Sequence, residues 1–383
     1  MQRLYGLTLF LMGVLCLNGC ALREFIAPPI PVHKLTYKPS RGSVTVSGFK
    51  TEIEITYLGA SGFLIRRDRF AILLAPFFSN PSLLKLAGPI YPNRARIDTG
   101  LAGFSLSHIK AILVGHAHYD HLMDVPYVVK KIKAENGSEP RIYGSKTMRN
   151  ILLNPKRQQR EMDAGREDAL DATSIVPLNE KAAESKAPGA WVCFDESGET
   201  ECETKDTIYR FMAIKSEHAP HVAGLKFYKG RVESPEGKPA TVAGDWKEGQ
   251  TLAYVMDFLG PDGTIDMRIH FQDATSNPPA GFLPELEEED RTERVDIAIL
   301  CVAGFGEVEN YPEGIVKNLN PRHVILSHWE NFFNPLPLAW SDLEVIRGTD
   351  ADAFIRRLKS ALPAHTDWTF PSPGTVISFE GTH

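Results

Sequence analysis

The chain of 383 residues is 43% hydrophobic, 23% charged and 9% aromatic, and its formal net charge at pH 7 is −6. These values are close to those of soluble globular proteins. They exclude a mostly disordered chain, a collagen-like fibre and a multi-span membrane protein. Both signs of charge are spread along the sequence without a basic stripe. We therefore expect no nucleic-acid partner.

The first residues have the pattern of an export signal. A single early cation, Arg3, precedes an apolar run over residues 4–17, which is too short for a comfortable membrane span. The run leads into residues 17–20, which end in Cys20 and resemble the lipobox of bacterial lipoproteins. A plain signal peptide with an incidental cysteine is the alternative. The resemblance predicts a lipoprotein signal peptide over residues 1–19 and a lipidated Cys20 that attaches the protein to a membrane.

The residues after Cys20 predict where the anchor lies. Ala21 and Leu22 follow it, and neither is the Asp that usually retains a bacterial lipoprotein in the inner membrane. We therefore expect the protein in the bacterial cell envelope, on the periplasmic side of the outer membrane. Residues 20–50 contain several prolines and little periodicity, which predicts a tether between the lipid and the folded domain.

Three cysteines lie beyond the predicted anchor. Cys193 and Cys202 flank a polar turn over residues 195–199, and this spacing suits a small loop closed by a disulfide in an oxidising compartment. Two free surface thiols are the alternative. Cys301 lies in an apolar run and is expected in the core.

From residue 51 the pattern predicts one long α/β domain over residues 51–383. Residues 52–57 alternate like a half-buried strand, and residues 109–114 form the apolar run of a strand covered on both faces. Residues 123–134 predict a helix, and the charged segment 155–206 predicts a surface insertion of helices and loops. Strands first alone and then alternating with helices predict two sheets covered by helices. The other predicted strands lie at residues 62–65, 70–74, 209–214, 251–256, 267–271, 295–302 and 323–326.

The densest group of potential metal ligands follows a predicted apolar strand. His116, His118, Asp120 and His121 lie within six residues, just after the bend at Gly115. In an extended loop the first two histidines lean the same way, and the other two residues lie where the chain turns into the next helix. Imidazole nitrogen and carboxylate oxygen suit zinc. The cluster therefore predicts a metal site.

Three further candidates each follow a predicted strand. His218, Asp273 and His328 come after apolar runs, near the carboxyl end of each strand. In α/β sheets the carboxyl ends of strands border the crevice where functional groups gather. We therefore expect these three side chains to join the cluster around His116.

With these residues in this order, the chain resembles the metallo-β-lactamase-fold superfamily of metal-dependent hydrolases. The HxHxDH motif that begins at His116 carries the resemblance. It implies a four-layer αββα sandwich with two divalent metal ions at one edge, and the ligand types favour Zn²⁺. It also implies a division of the ligands: His116, His118 and His218 hold the first metal, Asp120, His121 and His328 hold the second, and Asp273 bridges both.

Some assignments stay open at this point. His221 lies three residues after His218, and either suits the third ligand position of the first metal; His218 is preferred because it abuts the strand. Asp124 either orients a ligand histidine or is a carboxylate at a helix start. His270 is expected to be structural because it faces opposite to its apolar neighbours in the strand. His323 is expected at the surface.

The implied ligands predict hydrolysis. Two neighbouring divalent cations lower the pKa of a bridging water, which becomes hydroxide, and they polarise a carbonyl or phosphoryl oxygen. By the resemblance, Asp120 is the catalytic residue that both binds metal and orients this nucleophile. The expected function is a lipid-anchored binuclear hydrolase that cleaves a phosphodiester, ester or lactone bond of a small-molecule or lipid substrate. A non-catalytic metal-binding envelope lipoprotein and an iron-dependent oxidoreductase on the same fold are the alternatives.

Within the superfamily, the open start over residues 59–65 and the Pro76-Phe77 pair resemble one branch. This branch contains bacterial ascorbate-lactone hydrolases and the phospholipase D that cleaves N-acyl-phosphatidylethanolamine. Lipid anchoring favours a phosphodiester lipid as substrate. Four nearby apolar residues either line a pocket next to the metals or pack in the core, which is the more common place for such residues; they are Phe77, Phe78, Leu83 and Leu84.

Overall fold

The computed structural model describes residues 28–381, with gaps at 164–168, 185, 203–205 and 337–339. The predicted signal peptide and Cys20 lie outside these residues. The described chain forms two eight-stranded sheets. None of its described helices is long and apolar enough to cross a membrane.

The first sheet has the strand order β1 (Ser43–Phe49), β16 (Val376–Gly381), β2 (Ile53–Gly59), β3 (Gly62–Arg67), β4 (Phe70–Leu74), β5 (Ile109–Leu113), β6 (Arg141–Gly144) and β7 (Ile175–Pro177). Strands β2 to β4 pair antiparallel, whereas β4 to β7 pair parallel. Parallel pairing requires crossover connections, which are usually helical. Here they contain α1 (Arg94–Leu101), α2 (Tyr119–Leu122), α3 (Val125–Asn136), α4 (Lys146–Leu152) and α5 (Pro155–Asp163).

The second sheet has the strand order β15 (Asp367–Thr369), β14 (His323–Ser327), β13 (Ile297–Cys301), β12 (Ile265–Gln272), β11 (Thr251–Leu259), β10 (Tyr209–Ser216), β8 (Trp191–Phe194) and β9 (Glu199–Thr200). Strands β12 to β15 pair parallel, and the others pair antiparallel. The parallel crossovers contain α6 (Glu313–Leu319) and α7 (Ala351–Ala361).

The two sheets pack face to face and are covered by helices. Between them, the ring of Phe63 lies 6.4 Å from the ring of Phe271. Leu73 points to the other face of the first sheet and packs in the cluster that contains Ile132 of α3. On the second sheet, Phe354 of α7 is fully buried. Each such side chain stabilises the fold by roughly 1.5–3 kcal/mol. This arrangement confirms the predicted αββα sandwich.

The fold begins earlier than the sequence predicts. Residues 20–50 are expected to form a tether, but Val32 is fully buried and β1 pairs parallel with β16 at the edge of the first sheet. The exposure of β1 alternates along the strand, as it does in an edge strand with one face toward the core. The prolines upstream of β1 obscured this alternation, so the last part of the predicted tether belongs to the domain.

Residues 155–206 form more than a surface insertion. Strand β7 extends the first sheet, and β8 with β9 extends the second. Val192 and Phe194 of β8 are buried, because this short apolar strand adds to the core despite its charged surroundings. Cys193 and Cys202 form the expected disulfide. Cys301 is buried, as the sequence predicts.

Candidate metal centre

Strand ends and one short helix bring the predicted ligands together at one edge of the sandwich. Helix α2 carries Asp120 and His121. The other side chains follow carboxyl ends of strands: His116 and His118 after β5, His218 after β10, Asp273 after β12 and His328 after β14. Edge placement of this kind is where α/β proteins collect functional groups.

The side chains form three overlapping groups in which the potential ligand atoms lie within 4.8 Å of one another. All seven predicted ligands fall into these groups, and the group of Asp273 shares a histidine with each of the others. The groups are His116 with His118 and His218, His116 with His121 and Asp273, and Asp120 with His121 and His328. Their division coincides with the one that the family resemblance implies. Their role as ligands stays a prediction.

The chemistry of the donor atoms fits a pair of divalent cations. Nε2 of His116, His118 and His121 and Nδ1 of His328 are buried without a hydrogen-bond partner among the described residues. A buried polar atom left without a partner costs roughly 1–3 kcal/mol. Four such nitrogen atoms in one place therefore favour a ligand that accepts lone pairs. Imidazole and carboxylate together suit zinc and other first-row transition metals.

Asp273 lies at the centre of the cluster. Its two oxygens lie 2.7 Å from Nδ1 of His116 and 3.0 Å from Nδ1 of His121. Burial raises the pKa of the Asp273 carboxyl, but the two imidazoles outweigh burial and hold the pKa far below its usual range. Burial lowers the pKa of His121, whereas the carboxylates of Asp273 and Asp120 raise it to about 10 overall, so a metal ion bound here would take the place of the second ring proton. An ionised carboxylate between two imidazoles can bridge two cations.

Three other imidazoles of the cluster are held neutral. The pKa values of His116, His118 and His218 are lowered, first by burial and then by the neighbouring imidazoles. A neutral imidazole has a lone pair to offer, and metal binding requires this form. These three side chains make up the first group.

The geometry favours His218 over His221 as a ligand. Nδ1 of His218 donates to the carbonyl oxygen of Ala219 at 2.6 Å, which leaves the lone pair on Nε2. Nδ1 of His221 instead accepts the backbone N–H of Phe227 at 3.1 Å. Burial lowers the pKa of His221 to about 4, so the ring is neutral and its single proton is on Nε2. His221 therefore offers a hydrogen-bond donor to the site.

A buried pair behind His328 was missed by sequence reasoning. The backbone N–H of His328 donates to the carbonyl oxygen of Ala60 at 2.7 Å and to the hydroxyl of Tyr57 at 3.0 Å. The carboxylate of Glu330 accepts from both the Tyr57 hydroxyl and the Ala60 N–H. These contacts hold His328 in a left-handed conformation with φ of 54°. Tyr57 and Glu330 are 273 residues apart in sequence, so no local signal could have joined them.

Gly115 allows Asp273 to approach the loop that follows β5. A Cβ atom at Gly115 would lie 2.2 Å from Oδ2 of Asp273 and 2.3 Å from its Cβ. The bend at this glycine was visible in the sequence, but its contact with Asp273 was not. Only a residue without a side chain fits here, because Asp273 is itself fixed by His116 and His121.

Asp124 is a carboxylate at the start of α3, which is the second of the two alternatives that the sequence leaves open, and none of its described hydrogen bonds reaches a predicted ligand histidine. Its carboxylate accepts the backbone N–H groups of Phe78 and Ser79 at 2.7 and 2.8 Å and the Ser79 hydroxyl at 2.5 Å. It makes no side-chain cap for α3. Burial raises its pKa to about 6, even though these hydrogen bonds favour the ionised form. Asp124 thus fixes the loop that follows β4.

The remaining histidines in strands are structural. His270 is buried and its Nε2 lies 2.8 Å from the carbonyl oxygen of Gly281, in agreement with the sequence prediction. The prediction for His323 was wrong, because this side chain is also buried and bonds to the hydroxyl of Thr369 at 2.8 Å. The short strand β15, which carries Thr369, covers it and was not visible in the sequence pattern.

Six of the seven predicted ligands border a cavity of about 430 Å³, and the fully buried His121 lies behind them. Phe77 and Phe78 are buried, whereas Leu83 lines this cavity and Leu84 is 90% exposed. Most of the other lining residues are apolar; they include Leu83, Leu86, Phe227, Phe332, Phe333 and Ile346. The cavity thus combines the polar side chains of the candidate metal centre with apolar lining residues, a combination typical of small-molecule sites.

The family model described as the metallo-beta-lactamase superfamily matches residues 56–202, the segment that contains the cluster from His116 to His121. Over this segment the chain is similar to the metallo-β-lactamase superfamily, and its two helix-covered sheets agree with the αββα sandwich expected of that fold. A search of the curated proteins found no match.

Several solved structures are similar to this chain at low sequence identity. Igni18, a metallo hydrolase from Ignicoccus hospitalis, is 13% identical, with 86% of this chain and 99% of that chain covered and a TM-score of 0.45. YhfI, a metallo-beta-lactamase fold protein from Bacillus subtilis, is 13% identical, with 85% of this chain and 98% of that chain covered and a TM-score of 0.42. An isothiocyanate hydrolase from Delia radicum gut bacteria is 11% identical, with 85% of this chain and 99% of that chain covered and a TM-score of 0.42.

Proposed function

We propose that the protein is a lipid-anchored, binuclear metal-dependent hydrolase. The observation that carries the proposal is the gathering of five histidines and two aspartates, with four unpartnered nitrogen atoms, at one edge of this fold. Two cations, most simply Zn²⁺, would be held as follows: one by His116, His118 and His218, the other by Asp120, His121 and His328, with Asp273 between them.

The chain's own groups suit the attack of water on a polarised bond. Two divalent cations supply a nucleophile from water near neutral pH and polarise the oxygen of the bond under attack. Burial raises the pKa of Asp120, but its contacts with His121 and His328 hold the pKa well below the usual range. The ionised Asp120 therefore accepts a hydrogen bond from water and orients it. The Nε2–H of His221 donates to the substrate oxygen that gains charge.

The proposed substrate combines a phosphodiester or ester bond with an apolar group. The polar floor of the cavity suits the bond that is cleaved, and walls such as Phe227 and Phe332 suit an acyl or aryl group beside it. A lipid on Cys20 would keep the enzyme beside phospholipid at the periplasmic face of the outer membrane. This favours a phosphodiester lipid over a soluble lactone or ester.

Metal analysis with a chromogenic substrate tests the proposal. We would purify the chain that begins at Ala21, which contains every helix and strand of the described structure. Elemental mass spectrometry is expected to find about two zinc ions per chain, and bis-p-nitrophenyl phosphate is expected to be hydrolysed in a chelator-sensitive manner. Two iron ions with oxygen consumption would instead establish the oxidoreductase alternative. Absence of metal after reconstitution would favour the binding-protein alternative.

Two ligand variants and one matched control sharpen the test. His116→Ala and Asp120→Ala are expected to lose metal and at least about a hundredfold in turnover. The control is His33→Ala, since His33 is an exposed histidine outside the cavity. The control is expected to keep both metals. Full metal content and full hydrolysis in both ligand variants would reject the proposed site.

A further inference from the structure

Exposed apolar side chains are concentrated around the mouth of the metal cavity. Leu83 and Phe227, which are 39% and 40% exposed, line the cavity itself. Leu84, the most exposed at 90%, and Tyr91 line the cleft beside Leu83. Leu225 lies two residues before Phe227 and is 36% exposed. These five residues, which we call the apolar rim, account for most of the exposed large apolar side chains of the described chain. Clusters of this kind usually mark a contact surface.

The charge beside the apolar rim is positive although the chain as a whole is acidic. The cleft that contains Leu84 is lined by Lys85, Arg94 and Arg96, and no acidic residue lines it. The formal net charge of the whole chain is −6. A local cationic surface next to exposed leucines is the combination that binds anionic lipid headgroups.

The N-terminal end of the described chain lies on the same side of the molecule. The carbonyl oxygen of Ile30 accepts the backbone N–H of Val345 at 2.8 Å. The residues that follow Val345, Ile346 and Arg347, line the metal cavity. Cys20 lies ten residues before Ile30, and ten extended residues span at most about 36 Å. A lipid on Cys20 would therefore hold this side of the molecule close to a bilayer.

We infer that the apolar rim docks on a phospholipid bilayer with anionic headgroups, so that the mouth of the metal cavity faces the lipid. Leu83, Leu84 and Phe227 enter the headgroup region, and the cationic cleft around Lys85 contacts the headgroups. The inference deepens the proposed function, on which it rests for the identity of the substrate, because a lipid can then enter the cavity from the bilayer. Lipid anchoring alone would leave the orientation of the domain open.

Vesicle binding of the chain that begins at Ala21 tests the docking without turnover and without the anchor. The vesicles contain phosphatidylethanolamine with a quarter phosphatidylglycerol. An environment-sensitive fluorophore is attached at Leu84→Cys or, as a matched control, at Pro261→Cys. Pro261 is exposed and follows β11 where that strand pairs with the start of β10, the end of the sheet opposite to His218. The Leu84 label is expected to shift to the blue and to be quenched by brominated lipid, and the Pro261 label is not.

Two further measurements separate what the apolar side chains and the positive charge of this surface each contribute to vesicle binding. Leu84→Ser is expected to lower partitioning into these vesicles about fivefold or more while the melting temperature stays that of the wild type, because Leu84 is almost fully exposed. Vesicles of phosphatidylcholine alone are expected to bind about tenfold more weakly, because they lack the anionic headgroups.

The outcomes distinguish this inference from the proposed function. Absence of vesicle binding, or an equal response of both labels, would overturn the docking even if bis-p-nitrophenyl phosphate is hydrolysed. Selective response of the Leu84 label would support the docking even if the substrate is not hydrolysed, in which case the hydrolase proposal alone would fail.

Discussion

Two clusters of buried polar side chains, one within the second sheet and one at the edge of the sandwich where both sheets contribute, differ in how their hydrogen-bonding atoms are satisfied. In the first, Arg268 and Asp257 are fully buried, and two guanidinium nitrogens donate to the two carboxylate oxygens at 2.7 Å each. Arg210 adds a contact of 3.0 Å to Asp257 and lies over the ring of Trp191 at 4.1 Å. In the second, the metal centre, four buried imidazole nitrogens have no partner in the part of the chain that the structure describes.

Whether the hydrogen bonds of a buried cluster are complete indicates whether the cluster stabilises the fold or binds a ligand. A buried ion pair whose hydrogen bonds are complete needs nothing further, and its partners stabilise each other. A buried cluster that leaves several lone pairs unused costs stability until a ligand accepts them. We therefore assign the Arg268 cluster to the fold and the His116 cluster to function, and the following substitutions test this assignment.

The largest effect is expected from Asp273→Ala at the metal centre. This carboxylate contacts both His116 and His121 and belongs to the group that links the other two. Its loss is expected to reduce metal content below one ion per chain and turnover by at least about a hundredfold. Elemental mass spectrometry and the hydrolysis assay measure both. Retention of two tightly bound ions would contradict a bridging position for Asp273.

Asp257→Ala is the counterpart in the structural cluster. It leaves the guanidinium of Arg268 buried without its carboxylate, which is expected to lower the free energy of unfolding by about 3–5 kcal/mol. Urea denaturation of the metal-free chain measures this change. Metal content of the folded variant is expected to equal that of the wild type. A variant that loses metal but keeps its stability would reverse the assignment of the two clusters.

The sequence predicted which seven side chains gather at one edge better than it predicted the edges of the sheets. Several of these side chains follow mostly apolar strands such as β5 and β14, whose runs are easy to detect, and they belong to few residue types. Strands β1 and β15 at sheet edges, and β8 next to one, are short or half exposed, so their patterns are weak against neighbouring prolines and charges. Membership of a sheet at these edges is decided by pairing with distant residues, which a local pattern does not contain.

The contacts that support the predicted ligands could not be predicted from the sequence either. Tyr57 and Glu330 join the two sheets beneath His328. Asp124 fixes the loop after β4 rather than a ligand. Each of these roles depends on which loops meet in the folded chain, whereas the ligand motif is local around His116.

Gly115→Ala is expected to have a smaller effect than loss of Asp273. The new methyl group meets the Asp273 carboxylate, which must move away from the two histidines it contacts. We expect metal affinity to fall about 10- to 100-fold, as for other disturbed neighbours of metal ligands. Competition with a chelator measures the change. The control Gly237→Ala has only a carbonyl oxygen at 3.7 Å from its new Cβ and is expected to bind metal like the wild type; equal affinities in both variants would contradict the close contact.

The smallest effect on metal binding is expected from His221→Ala. Because Nδ1 of His221 already accepts the N–H of Phe227, the ring has no lone pair for a cation, and the variant is expected to keep both ions. By contrast, His218→Ala is expected to lose the first metal, since His218 belongs to the group with His116 and His118.

Loss of the His221 donor is expected to lower kcat about tenfold with little change in KM, because this donor acts where charge develops. His221→Gln, which keeps an N–H donor, is expected to recover part of kcat. Metal loss in His221→Ala with full metal content in His218→Ala would exchange the roles of the two histidines.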